Sequence, residues 1–236
     1  MARIKGQVTT SAATAAAIES TTYTEQSSGA QRSFKSSSAN DTAAGTGARK
    51  VKLTYYALAS GAVSGPKTET VTLNGVTAVA TVATDIALIE KIEVITAGSG
   101  GVPAGTISLY TDNAGAGSVF ASIATGARST KFAHHYVPTG NTWSLTDLMM
   151  ESTAGADQLP MFEVRSLDYS VSDAAEQSLA EFTIAGSQGS KPFLPPPIPV
   201  SSPLPIKVVG PARVRFYVTP TDTASQVSKV NVGYTE

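Results

Sequence analysis

Cysteine is absent from this chain of 236 residues, and charged residues are scarce. Without cysteine, neither a disulfide framework nor a thiolate metal site can form. Asp, Glu, Lys and Arg make up only 15% of the residues, against about 25% in typical soluble domains. Thr, Ser, Ala and Gly take their place. A surface with few charges costs little to desolvate, which favours packing against other protein surfaces.

Neither sign of charge is in excess, since 17 basic residues stand against 18 acidic ones and the net charge is −1. Binding to phosphates requires a strongly basic surface, so we do not expect nucleic acid as a direct partner. Long apolar runs are also lacking. The first ten residues have no apolar stretch of the kind found in signal peptides, and no segment has the length of a membrane span. We therefore expect no membrane association.

Residue patterns that carry catalysis are missing as well. The only histidines, His134 and His135, are adjacent, so in a strand they point to opposite faces and cannot ligate one metal ion together. No Gly-x-Ser-x-Gly motif of a serine hydrolase occurs, and Gly45–Ala48 precedes a predicted strand, whereas phosphate-binding loops follow one. We predict a protein that is not an enzyme, with no catalytic residues, no cofactor and no metal. Two minor alternatives are a cation bound at Asp112–Gly117 and a glycosidase carboxylate pair.

What the sequence does contain is an alternation of apolar and polar residues with a period of two, beginning at Lys50. Val51, Leu53 and Tyr55 are the first apolar members, and this period indicates strands with one face on a core. The dipeptide Asn74–Gly75 predicts a type I′ hairpin turn with its second strand near 78–82. Short strands separated by Gly, Pro, Asn and Asp predict an all-β fold, an antiparallel β-sandwich with jelly-roll-like connections.

Two segments differ in composition from this pattern. Residues 1–48 form a low-complexity N-terminal arm, and residues 49–236 form the predicted sandwich domain. An arm with so few large apolar side chains cannot offset its ordering entropy alone, so we expect it to lie on its own domain or on an adjacent subunit. Seven of the 13 prolines fall within residues 191–205. Because proline fixes φ and removes a backbone donor, this stretch predicts an extended strap, either a crossover within the domain or a contact with a neighbour.

Trp143, together with several tyrosines, is the candidate for contact with a ligand. Aromatic rings in an exposed groove stack on sugars, whereas aromatic residues at alternating strand positions belong to a core or an interface. Trp143 is therefore the candidate carbohydrate contact of an alternative function, a receptor-binding or carbohydrate-binding module on a fibre.

Several segments resemble virion structural proteins of tailed bacteriophages. They are Ser38–Arg49, Glu69–Val79, Ile89–Val94, Gly105–Leu109 and Ala133–Thr142. The resemblance implies a β-sandwich subunit that is repeated around a symmetry axis, and it transfers no catalytic residues.

The function that the resemblance implies is structural. We expect a capsid decoration or head-associated protein that packs on the particle and stabilises it, with a neck, collar or tail component as the alternative. The implied partners are copies of the chain, for which a trimer is a guess by analogy, and other virion proteins such as the major capsid protein. The implied location is the virion, assembled in the cytoplasm of the host bacterium.

Overall fold

A computed structural model describes residues 2–10, 15–18, 23–152, 161–172, 174–183, 198–199, 206–219 and 226–236. Every regular element in these ranges is a β-strand, and the paired strands run antiparallel. The strands are β1 (Ala2–Thr10), β2 (Ala16–Ala17), β3 (Ser33–Ser36), β4 (Ala48–Ala59), β5 (Ala62–Thr72), β6 (Val79–Ala80), β7 (Leu88–Ala97), β8 (Ile107–Tyr110), β9 (Val119–Ile123), β10 (His134–Val137), β11 (Thr142–Ser152), β12 (Met161–Asp168), β13 (Gln177–Thr183), β14 (Ile198–Pro199), β15 (Lys207–Val209), β16 (Ala212–Thr219) and β17 (Gln226–Thr235). The prediction of an all-β, antiparallel fold is confirmed. No helix of the described ranges has the length and hydropathy that a membrane span requires.

The chain divides into two compact units. Unit 1 comprises Met1–Ser20 with Lys131–Glu236, and unit 2 comprises Thr21–Thr130. Unit 1 contains a sheet of order β1-β17-β11-β14, in which β15 also pairs with β11, and a sheet of order β10-β16-β12-β13, in which β2 also pairs with β16. Unit 2 contains the sheets β6-β3-β8-β9 and β5-β4-β7.

This organisation differs from the single jelly-roll-like sandwich that the sequence predicts, because the strands fall into four sheets. The division into units also does not coincide with the predicted boundary at residue 48, since β1 and β2 belong to unit 1 and β3 to unit 2. The physical reason is that an alternating pattern specifies one buried face for each strand but does not specify which strand lies beside it.

The core of unit 1 receives side chains from both of its sheets. In β16 the apolar members of the alternation, Val214, Phe216 and Val218, belong to this core, as do Val230 and Val232 of β17. Burying a side chain of this size contributes about 1.5–3 kcal/mol. The period-two pattern therefore places one face of each sheet in a shared core.

The N-terminal arm lies on sheets of its own chain where it is described. Strand β1 pairs with β17 over nine residues, and β2 pairs with β16. Ile18 is fully buried, its N–H donates to the carbonyl of Phe216 at 2.9 Å, and its carbonyl accepts from the N–H of Ala133 at 3.1 Å. Backbone pairing with β17 and β16 thus supplies the order that the few apolar side chains of the arm cannot supply alone.

The predicted turn at Asn74–Gly75 is present, because Asn74 bridges Thr77 and accepts its N–H at 3.1 Å, and β6 lies within the predicted residues 78–82. The prediction that the flanking strands form a hairpin is wrong. The hairpin that joins β4 to β5 turns at Ser60 and Gly61, whose φ angles of 48° and 77° are those of a two-residue turn with both central residues left-handed. Gly75 also has a positive φ, but the strand that follows it, β6, pairs with β3 instead of β5. The turn at Gly75 therefore sends the chain into the other sheet of unit 2.

The predicted proline-rich strap is described only at Ile198 and Pro199. These two residues form β14, which pairs with Asp147 and Leu148 of β11. Residues 191–197 and 200–205 lie outside the described residues.

Replacing Ile18 by Ala is expected to lower the free energy of unfolding of unit 1 by about 2–5 kcal/mol, because it opens a cavity in the core. The single tryptophan of the chain, Trp143, is buried in that core, so its fluorescence during denaturation by urea measures the effect. The control is Val209→Ala at a position that is 68% exposed, with an expected change within about 0.5 kcal/mol. Equal effects of the two substitutions would show that Ile18 is not seated in this core.

Candidate functional site

Asp41 is a carboxylate with no exposed surface in unit 2, and it accepts four hydrogen bonds. Its Oδ1 accepts the N–H groups of Ala48 at 2.7 Å and Ala104 at 2.9 Å. Its Oδ2 accepts the N–H of Gly105 at 2.9 Å and the hydroxyl of Ser36 at 2.6 Å. Hydrogen bonds to an ionised acceptor are the strong ones, and together they offset the cost of burying the charge.

The backbone around Asp41 is tied in as well. The N–H of Gly75 donates to the carbonyl of Asp41 at 2.7 Å, and the N–H of Ser36 donates to the carbonyl of Gly75 at 2.8 Å. A Cβ on Gly47 would stand 2.1 Å from Oδ1 of Asp41, so only glycine fits there. We call this group the Asp41 knot and define it by six residues: Ser36, Asp41, Ala48, Gly75, Ala104 and Gly105.

The Asp41 knot brings together three separate segments of the sequence. Ser38–Arg49 supplies Asp41 itself, Glu69–Val79 supplies Gly75, and Gly105–Leu109 supplies Gly105. These segments are far apart in the sequence and meet at one buried group. The three segments therefore contribute to the packing of unit 2.

Arg32 is a second buried charge of unit 2, and it binds backbone carbonyls. Its guanidinium donates to the carbonyl of Ile86 from Nε at 3.0 Å and from Nη2 at 2.9 Å, and also to the carbonyls of Thr111 and Ser28. It stands 5.1 Å from the centre of the Phe120 ring. Burial lowers the pKa of Arg32. The guanidinium joins three loops and leaves little of its surface for a ligand.

The loop Asp112–Gly117, a candidate cation site in the sequence, is closed on itself. Oδ1 of Asp112 accepts the N–H groups of Ala114, Gly115 and Ala116 at 2.7–3.2 Å. Burial acts to raise the pKa of Asp112, but these N–H groups hold it below its usual value. Because backbone donors fill the carboxylate, the loop does not form an oxygen cage for a cation. Within the described ranges, no group of three or more acidic or histidine side chains is arranged to hold a metal ion.

The two histidines contact different residues, as their adjacency in a strand requires. The ring of His134 stacks on Phe132 with centroids 4.9 Å apart, whereas the ring of His135 lies 4.5 Å from that of Tyr234. Nε2 of His135 is 3.4 Å from a carboxylate oxygen of Glu236. Both rings are buried, so the pair is part of the packing of unit 1.

Trp143 is fully buried, which argues against its candidate role as a carbohydrate contact. Its ring lies 6.0 Å from that of Tyr234, and Val208 of β15 is its partner in the sheet. The side chain belongs to the core of unit 1. No face of the indole is available for a sugar ring.

The second sheet of unit 1 carries a network of charged groups that the sequence analysis did not identify. The guanidinium groups of Arg165 and Arg215 stand 4.3 Å and 5.6 Å from the centre of the Tyr217 ring. The Tyr217 hydroxyl donates to Glu176, which also accepts from Arg213. Burial and the bond to Glu176 raise the pKa of Tyr217 to about 12. The signal in the sequence is the alternation Arg-x-Arg-x-Tyr along β16.

Glu163 completes this network on the neighbouring strand β12. It is buried, and it accepts a hydrogen bond from Arg165 at 2.6 Å. This bond, against the opposing effect of burial, holds the pKa of Glu163 below its usual value. The charges of this sheet are thus largely paired with one another.

The sheet β5-β4-β7 of unit 2 has three successive rows of paired polar residues on its outer face. The register places Thr72, Lys50 and Thr96 in one row, Thr70, Lys52 and Glu93 in the next, and Thr68, Thr54 and Lys91 in the third. We call these nine residues the Thr–Lys face. The sequence contains the signal in the alternation of Lys50, Lys52 and Thr54 with Val51 and Leu53, but it does not show that three such strands lie side by side.

No protein-family model matches the chain. No curated protein matches it either.

Replacing Asp41 by Asn is expected to destabilise unit 2 by about 2–3 kcal/mol. The amide NH2 takes the place of one acceptor oxygen and then faces two hydrogen-bond donors. Hydrogen exchange, read by mass spectrometry at the amides of Ala104 and Gly105, measures the loss of protection. Asp112→Asn is the control, since Oδ1 accepts the three loop N–H groups and an amide oxygen can replace it, although the contact of Ala116 with Oδ2 at 3.2 Å is lost. Unchanged protection in the Asp41 variant would contradict the structural role of the knot.

Replacing Glu163 by Gln is expected to reduce the loss of stability of unit 1 in acid. Because the folded-state pKa of Glu163 lies below its unfolded value of 4.5, the carboxylate contributes stability above that value. This contribution is lost as the pH falls through the lower, folded-state pKa. The test is the midpoint of urea denaturation, measured by Trp143 fluorescence at several pH values between neutral and about pH 3. Val209→Ala is the control, because it changes no charge. Parallel pH profiles for the wild type and the Glu163 variant would refute it.

Proposed function

We propose that the chain is a structural subunit of a tailed-bacteriophage virion, a capsid decoration or head-associated protein. It packs on the particle and stabilises it through contacts with copies of itself and with other virion proteins. The observation that carries this proposal is the Asp41 knot, where segments that resemble virion structural proteins meet at one buried carboxylate. The segments that carry the resemblance make contacts that hold the fold together. This favours a shared structural role over a shared catalytic reaction.

The surface of unit 2 supports an assembly role. The eleven residues from Asn74 to Thr84 contain no charged side chain, and Val76 and Val82 are exposed within them, Val82 by 87%. Uncharged surface with exposed apolar side chains costs little to desolvate and is typical of surfaces that contact other proteins. These features favour a subunit that buries surface against its neighbours.

We also propose that unit 1 is a β-sandwich, and this rests on its core. Side chains from both sheets of that unit enter one core, and two antiparallel sheets around one core are the arrangement of a β-sandwich. The alternative of a carbohydrate-binding module loses its main candidate, because Trp143 is buried. A neck, collar or tail position involves the same kind of contact and differs only in the neighbour.

The test uses particles of the phage that encodes the chain, assembled in a host in which the chain is not made. Purified chain is expected to bind saturably to isolated heads and not to isolated tails, and a gold-labelled antibody is expected to mark heads of wild-type particles in negative-stain images. Head binding is measured by co-sedimentation against an unrelated β-protein of similar mass. Binding to tails alone would move the subunit to the tail, and a monomer that binds neither would overturn the proposal.

A further inference from the structure

We propose that the Thr–Lys face of unit 2 docks onto an acidic patch of another protein subunit in the particle. This inference rests on the proposed function, and it goes beyond it by naming one surface and the chemistry of its partner.

The Thr–Lys face is formed by adjacent strands in a defined register. Lys52 stands between Thr70 and Glu93, and the rows above and below it repeat the pattern of threonine and lysine. The nine side chains of this face are exposed or half-buried when the surface is measured with both units present. The opposite side of the same strands carries buried residues such as Val51 and Leu53. The face is therefore the solvent side of a sheet whose other side is packed.

A bulge adds one apolar side chain to this polar face. Val94 pairs with Val51 and Thr96 pairs with Lys50, which leaves Ile95 as the extra residue of β7. Ile95 is 41% exposed. Bulges change the direction of a side chain and recur at functional positions. An exposed isoleucine among threonines and lysines is suited to contact a protein surface.

The charge of the face indicates the chemistry of the partner. Its three lysines and one glutamate give 3 − 1 = +2, on a chain whose net charge is −1. Glu93 pairs with Lys52 at 2.5 Å and with Lys91 at 2.6 Å, and within the described residues Lys50 forms no ion pair. A partner that covers Lys50 must supply a carboxylate, because an unpaired ammonium group is costly to desolvate.

The charge of the face also argues against two other kinds of partner. A second copy that docked through the same face would bring two surfaces of like net charge together, which is unfavourable. A nucleic acid would gain neutralisation of only about two phosphates, which gives weak binding with a shallow salt dependence. Threonine hydroxyls beside lysines suit carboxylates on a protein, where hydrogen bonds and charge pairing act together.

The experiment measures the binding of the full-length chain to heads that lack it, at low ionic strength, for substitutions at exposed positions. Lys50→Glu is expected to weaken binding about tenfold, because it reverses a charge at a contact with carboxylates. Thr70→Asp is expected to weaken binding and Thr70→Lys to strengthen it, so one position gives opposite results. Lys207→Glu, an exposed lysine of unit 1, makes the same change in net charge outside the face and is expected to have little effect. Thermal unfolding followed by circular dichroism confirms that each variant is folded.

The outcomes separate this inference from the function on which it rests. If wild-type chain binds heads and the Lys50 and Thr70 variants bind equally well, the docking face is refuted while the structural function stands. If the two Thr70 variants shift in the same direction, the contact is steric and an acidic partner is refuted. If wild-type chain does not bind heads, both proposals fall. Tight binding of a short DNA duplex that Lys50→Glu abolishes would replace the acidic protein with nucleic acid.

Discussion

A carboxylate buried without exposed surface imposes a strict condition on unit 2. The charge of Asp41 is tolerable only while its four donors are in place, and these come from Ser36, Ala48, Ala104 and Gly105. The loss of one donor leaves the rest of the charge undersolvated, so the segments must order together. Gly47 belongs to the same condition, because any side chain there would displace Oδ1 of Asp41. Unit 2 is thus specified by a polar centre as much as by its apolar residues.

Unit 1 is held in a different way. Its core joins side chains from two sheets around Trp143, and its described ion pairs include Arg165–Glu163 and Arg213–Glu176. Arg165 and Arg215 stand near the Tyr217 ring, while Glu163 pairs with Arg165 and Glu176 pairs with Arg213. The stability of unit 1 therefore depends on apolar burial in the centre and on charge pairing on one sheet.

The strands were predictable from the sequence, but their partners were not. Val214, Phe216 and Val218 occupy alternate positions of β16 and are buried, as the period requires. Alternation indicates which face of a strand is exposed to solvent and which is buried. Pairing depends on distant residues, so the positive φ that Gly75 provides does not reveal that β6 joins β3. For the same reason Trp143 could not be assigned to core or surface. Asp41 stands in a run of small polar residues typical of an exposed turn, and only its distant donors reveal that it is central.

Two charged faces of the described residues differ in how many of their charges are paired within the chain. On the second sheet of unit 1, the three described arginines lie beside Glu163, Glu176 or the Tyr217 ring, so a partner would have to displace existing contacts. On the Thr–Lys face, one glutamate serves two of the three lysines, and the threonines around them carry no charge to desolvate. A group contributes binding energy when it gains a hydrogen bond or an ion pair on contact. A group that is already paired within its own chain gains little. Of the two faces, the Thr–Lys face is therefore the one with more to gain from a neighbour.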